Sequence, residues 1–297
     1  MGALSSLRRV FAVASLTFRE AWRRRVVLAA VFMALGFLAI YGAGLHFVAD
    51  QIGRGLSFEA ELSHRGAAVQ MLALGLYTSS LLIALTAVFV SAGSVSAEVD
   101  GVIYGVLARP VRRWEIVVGK FVGLVVMLSV FDTALNAGVI GLARWQMAVP
   151  LLSWPVGMAL LVLEPLPLLA LALLGSSKLP TLANGVLCTA AFGIGLLGGM
   201  MEQVDGLVSR VVSMAGGIHS GTLTYLGIVT SLLMPLDAVH RLALGALLPQ
   251  GLESFGPLPS LGGGGTLVPS TGMMIYAGAY VFVMLLLAAR AFSSRDL

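Results

Sequence analysis

The chain has 297 residues, 58% of them hydrophobic and only 11% charged, and 18 Lys and Arg stand against 14 Asp and Glu for a formal net charge of +4. A soluble domain carries about 25% charged residues. A mean hydropathy of +0.97 and charge-free runs such as residues 66–97, longer than the roughly 20 residues that cross a hydrocarbon core, therefore exclude a soluble globular fold. The cations form no basic stripe interleaved with aromatics, so no nucleic acid is expected as a partner, and the excess reads as membrane orientation.

The N-terminal "SSLRRVFAVASLTF" superficially looks like a twin-arginine export signal. Its apolar stretch stops at Arg19 and Glu20, however, and a full-length span follows directly after Arg23 to Arg25. At 100° per residue Leu7, Phe11, Ala14, Phe18 and Trp22 fall on one face, and Arg8, Arg9, Arg19, Glu20 and Arg23 take the other. The pattern predicts an interfacial helix over residues 1–25. Its aromatic side (Phe11, Phe18, Trp22) lies in the headgroup boundary, and its arginines meet anionic lipid.

Six spans follow. The first runs over about 26–47 and the second over about 71–93. The third, about 121–142, carries Asp132 and Asn136, four apart and so on one face. The fourth, about 152–174, carries Glu164 and is broken by Pro165 and Pro167. The fifth, about 182–201, and the sixth, about 273–292, have no interior charge. An even number puts both termini on one side. With that side cytoplasmic, Arg8, Arg9, Arg19, Arg23, Arg24, Arg25, Arg109, Arg112, Arg113, Lys120, Lys178, Arg290 and Arg295 are inside, 13 of the 18 cations, as the positive-inside rule requires. Residues 94–120 are then a cytoplasmic loop and 203–272 an extracytoplasmic segment of a single transmembrane domain, 1–297.

Within that segment residues 223–248 are long enough to cross. Pro235, Asp237, His240 and Arg241 sit at their centre, though, and a charge at mid-bilayer costs about 2.5–3.5 kcal/mol. Two short helices, re-entrant or interfacial, are predicted around Pro235, with an Asp/Arg pair at the break. The fold class is thus an all-α integral membrane protein: six transmembrane helices, an amphipathic N-terminal helix and a broken helix between spans five and six.

Enzyme chemistry is missing. There is no HExxH and no pair of histidines at helical spacing; His46, His64, His219 and His240 read as isolated surface or interfacial residues. The lone Cys188 cannot form an internal disulfide and reads as core packing. "EIVVGKF" lacks the first glycine of a phosphate-binding loop, with Trp114 in its place, and Phe121 replaces the Ser or Thr that would hold magnesium. No metal site and no cofactor are indicated, and the chain does not hydrolyse ATP alone.

The charge the chain does have gathers in "SAEVDGVIYGVLARPVRRWEIVVGKFVG", residues 96–123, between spans two and three. A short helix there is entered past acidic residues and ends near Pro110. The run Glu98, Gly101, Leu107, Arg109-Pro110, Arg113, Glu115, Val118, Gly119-Lys120 and Gly123 resembles the signature of type-2 ABC exporter permeases. "LLMPLDAVHRL" is similar, more weakly, to a motif of the permeases associated with nitrous oxide reductase maturation. Met234 stands where that motif commonly has Asn, and Val102 stands where a Thr usually follows the glycine.

The resemblance implies that this chain forms the translocation path of an exporter in the cytoplasmic (inner) membrane of a prokaryote. A separate soluble ATPase subunit, which holds the ATP and magnesium, would be the partner, with two permeases, as a homodimer or a pair, in the assembly. It places Glu98, Asp100, Gly101, Arg109, Pro110, Arg113, Glu115, Gly119 and Lys120 in ATPase coupling, with Lys120 anchoring the helix end at the headgroups. The arginine-rich N-terminal helix braces the ATPase against the lipid bilayer, and the extracytoplasmic segment offers a surface for an accessory protein. Import is disfavoured, since the loop lacks the alanine-rich motif of binding-protein-dependent importers. Intramembrane Asp132, Asn136 and Glu164 are candidates for the translocation path. They also leave open an ion- or proton-coupled secondary transporter using Asp132 and Glu164, a plain pairing of the two acids within the bundle, and a membrane scaffold.

Overall fold

The computed structural model describes residues 2–23, 25–52, 58–91, 113–214, 221–249 and 270–293. Every regular element among them is an α-helix. In chain order these are α1 (Gly2–Arg23), α2 (Arg25–Ile52), α3 (Phe58–Ser91), α4 (Arg113–Met147), α5 (Trp154–Leu163), α6 (Leu166–Ser176), α7 (Thr181–Met214), α8 (Thr222–Leu233), α9 (Leu236–Leu247) and α10 (Thr271–Ser293). Six stretches are long and apolar enough to cross a membrane: 25–51, 61–91, 114–147, 154–176, 181–202 and 272–293. All six predicted spans are therefore present as helices, and four run on past their apolar core. α4 begins at Arg113, so the last part of the predicted loop 94–120 is already helical, and α7 continues past Met201 to Met214.

The fourth span is α5 and α6 joined at Glu164 and Pro165. Pro165 and Pro167 have no N–H to give the preceding turn, so the helical ladder is interrupted there. α8 and α9 are the two short helices expected around Pro235, bent by 104° to each other. Gly221 enters α8 at φ 64, a left-handed conformation that costs glycine little.

The core is built on α3, α4 and the fourth span. Leu45, Leu72, Leu76, Val139, Leu161 and Leu247 form one buried cluster. α9 belongs to it: Leu247 fills the space beside Gly157 of α5, where a Cβ would collide with it, and Leu152 and Ser153 donate backbone hydrogen bonds to Leu247 and Ala246 at 2.9 and 3.1 Å. A second cluster joins Ala21 of α1 and Val27 of α2 to Val117, Leu124, Leu128 and Phe292. Many large apolar side chains stay exposed, Phe32, Ile40, Ile275 and Phe282 among them; on a helix that spans a bilayer that is the lipid-facing surface.

Candidate functional site

Polar side chains deep in the bundle meet in one row. Asp132 and Asn136, one turn apart on α4, are both buried, and Asn136 donates Nδ2–H to Asp132 Oδ1 at 2.7 Å. Ser79 of α3 donates to Asn136 Oδ1 at 2.6 Å. Its neighbour Ser80 points the other way, to the break in span four, where its hydroxyl donates to Glu164 Oε1. Glu164 Oε2 lies 2.8 Å from His240 Nδ1 on α9; facing a carboxylate acceptor, that nitrogen is the donor. The Tyr77 ring closes over the imidazole at a centroid distance of 4.3 Å.

One residue further along α9, Arg241 reaches Glu202 of α7 and lies 2.9 Å from Asp237, one turn back on its own helix. The glycines of α7 and α8 make this approach possible. A Cβ at Gly199 would collide with the Asp237 carboxylate, one at Gly198 with Thr230, and one at Gly227 with Glu202. Small residues that let helices close up are the membrane substitute for a hydrophobic drive between them.

A second constellation sits where α4 begins. The contacts of α1 with α4 advance in step: Arg9 Nε lies 3.4 Å from Glu115 Oε2, a Cβ at Gly119 would fall 2.7 Å from Val13 Cβ, and one at Gly123 would fall 2.5 Å from the Ala14 carbonyl oxygen and 2.9 Å from Thr17 Cβ. The two helices thus run side by side in the same direction, seamed by Ala14, Thr17 and Ala21, all buried.

These placements revise several expectations. His240 is neither isolated nor interfacial; it is 1% exposed and paired, because α9 folds back into the bundle instead of lying on its rim. Asp132 and Glu164 do not bond to each other: each has its own polar partners, with Ser79 and Ser80 between them. The Asp/Arg pair expected at the break is present as Asp237 and Arg241. Cys188 is buried and free, as core packing predicts.

Lys120 is buried rather than spread at a surface, and Glu115 is wholly buried beside Arg9. On α1, Arg8, Arg19 and Arg23 are exposed, together with Leu7, Phe11 and Trp22, and Phe18 is half-buried, stacked on Trp22 at 6.1 Å. Ala14 leaves the aromatic face and packs on α4. Glu98, Asp100, Gly101, Arg109 and Pro110 lie outside the described residues, and Arg113 is the first residue of α4. Four network residues went unread in the sequence, Tyr77, Ser79, Ser80 and Glu202. "YTSS", the polar interruption in the middle of a charge-free run, was the signal for the first three.

A groove of about 720 Å³ opens elsewhere, between α6, α7, α8 and α10; its wall is apolar but for Tyr276 and Tyr280. No network residue lines it, and no group of three or more His, Cys, Asp or Glu that could hold a metal ion occurs among the described residues.

Compared with known families, residues 11–297 match the family described as ABC-2 family transporter protein. The match takes in every span, both proline breaks and the segment between spans two and three. The chain belongs to the ABC-2 transporter family. It is a multi-pass membrane permease subunit of an ABC transporter, and members of the ABC-2 family are in general non-catalytic and work with an ATPase partner. No curated protein sequence matches the chain.

Proposed function

We propose that this ABC-2 permease exports its substrate and takes its energy from a separate ATPase through Glu98, Asp100, Gly101, Arg109 and Pro110. The observation that carries the reading is the seam between α1 and α4. The proposed contact segment ends where α4 starts at Arg113, and within the next ten residues Glu115, Gly119 and Gly123 fasten α1 to α4. A displacement at the segment is therefore delivered to α4 and α1 as one body, and α4 carries Asp132 and Asn136 into the polar row. Coupling of this kind requires contacts that differ between the two states, which charged groups at a protein surface are suited to make.

In this reading both termini face the cytoplasm of a prokaryote, and two permeases and two ATPases, with ATP and magnesium on the latter, make the working assembly. Asp132, Asn136 and Glu164 border the path. The broken helix α8–α9 belongs to the opposite face, where an accessory protein would dock. The narrower likeness to permeases of nitrous oxide reductase maturation has the α9 motif alone behind it.

The test is a pull-down of the tagged chain from its native membranes. An ATPase is expected with the wild type and lost, or retained without transport, in Gly101→Asp and Arg109→Glu. A folded chain that brings down no ATPase would sink the reading and favour the ion-coupled alternative through Asp132 and Glu164.

A further inference from the structure

The buried network has a charge problem. Among the described residues it holds four acids, Asp132, Glu164, Glu202 and Asp237, against one guanidinium, Arg241, and one imidazole, His240, and none of the six is more than 9% exposed. They act on one another: Asp132 lies within electrostatic reach of Glu164, and Asp237 within reach of Glu164, Glu202, His240 and Arg241. With every acid ionised and the imidazole protonated, two negative charges would remain unbalanced in the interior of the bundle. Ions buried there without a counter-charge are strongly disfavoured.

Among the described residues no cation besides Arg241 and His240 acts on Asp132 or Asp237; on α4 itself, Lys120 and Arg144 each stand twelve residues from Asp132, about 18 Å along the helix. α5, α6 and α8 carry no charged residue, and α10 carries only Arg290. From Thr271, where α10 starts, Arg290 is about 28 Å further along the helix at the usual rise. α3 brings the Tyr77 ring and two serine hydroxyls, and α2 brings Tyr41, whose hydroxyl donates to the Met71 carbonyl.

The pairing within the network places the two excess charges: one is spread over Arg241 and the two acids that share it, and the other falls on the acid that has no cation at all. Arg241 serves Glu202 and Asp237, and His240 serves Glu164. Asp132 has no cation beside it: its Oδ1 accepts from the neutral Asn136 amide, and its Oδ2 is buried with no hydrogen-bond partner among the described residues. His240 Nε2 is likewise buried without one. Residue 132 of the 114–147 span, residues 79 and 80 of the 61–91 span and residue 164 of the 154–176 span all lie near the middle of their helices, so the row falls inside the apolar stretches whichever way the chain is oriented.

We propose that Asp132 is a proton-binding site, holding its proton at neutral pH in this conformation, and that the Glu164–His240 pair is a second proton store beside it. The ligand is a proton, not a metal ion. The site is tied to motion because His240 and Arg241 both ride on α9, which belongs to the bent hairpin and not to a straight span. When α9 withdraws, the shared proton passes from Nδ1 of the imidazolium to Glu164 Oε2. One N–H bond breaks and one O–H bond forms, and both groups separate as neutral species. Arg241 and Asp237 leave Glu202 of α7 at the same time, and Glu202 then takes up a proton from the path. The permease cycle is thereby linked to proton uptake, whatever supplies its energy.

The experiment is infrared spectroscopy of the full chain in phosphatidylcholine nanodiscs, with no ATPase and no substrate. At neutral pH the wild type is expected to show the carbonyl stretch of protonated carboxyls. Asp132→Asn, an isosteric mimic of the neutral acid, is expected to fold and to lose that part of the band which belongs to one carboxyl. Spectra that superimpose, or a wild type without the band, overturn the proposal. A wild type without the band whose thermal stability requires sodium would make the site one for a monovalent cation instead. Should Asp132→Asn not fold, the wild-type band followed to alkaline pH serves in its place: a proton held in the bundle keeps the band above the range where exposed carboxyls have ionised, and a band that vanishes with them overturns the site. Since neither measurement involves the ATPase, failure here leaves the pull-down result standing, and the reverse holds too.

Discussion

Protein carrying Arg241→Ala is expected to lose about 3–5 kcal/mol of stability, the usual effect of breaking a buried ion pair by removing one partner. Arg241 is 3% exposed and is the cation that Glu202 and Asp237 share. Without it, two acids on α7 and α9 face each other in the same low-dielectric space. The measurement is the thermal melting midpoint of purified protein, together with protease protection of the α8–α9 hairpin. The comparison that gives the result its meaning is a triple variant, Arg241→Met with Glu202→Leu and Asp237→Leu. It removes the charges together and fills the volume, and it is expected to recover most of the loss. If Arg241→Ala melts with the wild type, Arg241 is not holding the hairpin and the account of α9 fails.

The second large effect is expected at the seam. In Gly123→Leu the new side chain starts with a Cβ 2.5 Å from the Ala14 carbonyl oxygen. That contact is backbone and cannot rotate away, so α1 has to move off α4. Overpacking of this kind costs about 1–3 kcal/mol. The functional effect is expected to be larger than the stability effect, because α1 and α4 would no longer move as one body. Limited trypsin digestion reads the first part: Arg9, half-buried beside Glu115, becomes a cleavage site in the variant. Transport by the reconstituted permease with its ATPase reads the second. Wild-type digestion and wild-type transport together would show that the seam carries no coupling. Gly123→Ala places only the Cβ there and is expected to fall between.

The spans were legible because hydropathy and length decide them before any tertiary contact forms. The hairpin was legible for a similar reason: Pro235 and the charges around it are incompatible with a continuous span. What could not be read was pairing over distance. Glu164 and His240 are 76 residues apart, and nothing in one sequence says that a histidine on a short helix turns inward to meet an acid at a proline break. The packing face of α1 was only partly legible. Grouping Ala14 with the aromatics followed the helical wheel correctly, but Ala14, Thr17 and Ala21 also form a row of small residues at helical spacing. Gly119 and Gly123 on α4 are its natural complement. Small residues contribute little to an amphipathicity argument and a great deal to a close-approach argument, and the second one applies here. Of the expected coupling residues, Glu115 and Gly119 turn out to face α1, and Lys120 is buried.

The joint in the fourth span has a mechanical consequence. α4 is an unbroken rod from Arg113 to Met147, stiff along its length, and it passes a load from one end to the other. α5 and α6 are two short rods with a soft hinge, because the prolines at 165 and 167 have removed two of the struts that would brace it. In a loaded bundle the strain gathers at the most compliant point, and here that point is the residue whose carboxylate also grips Ser80 and His240. Any flexing of the fourth span is therefore felt first at Glu164 and last in the apolar walls around it.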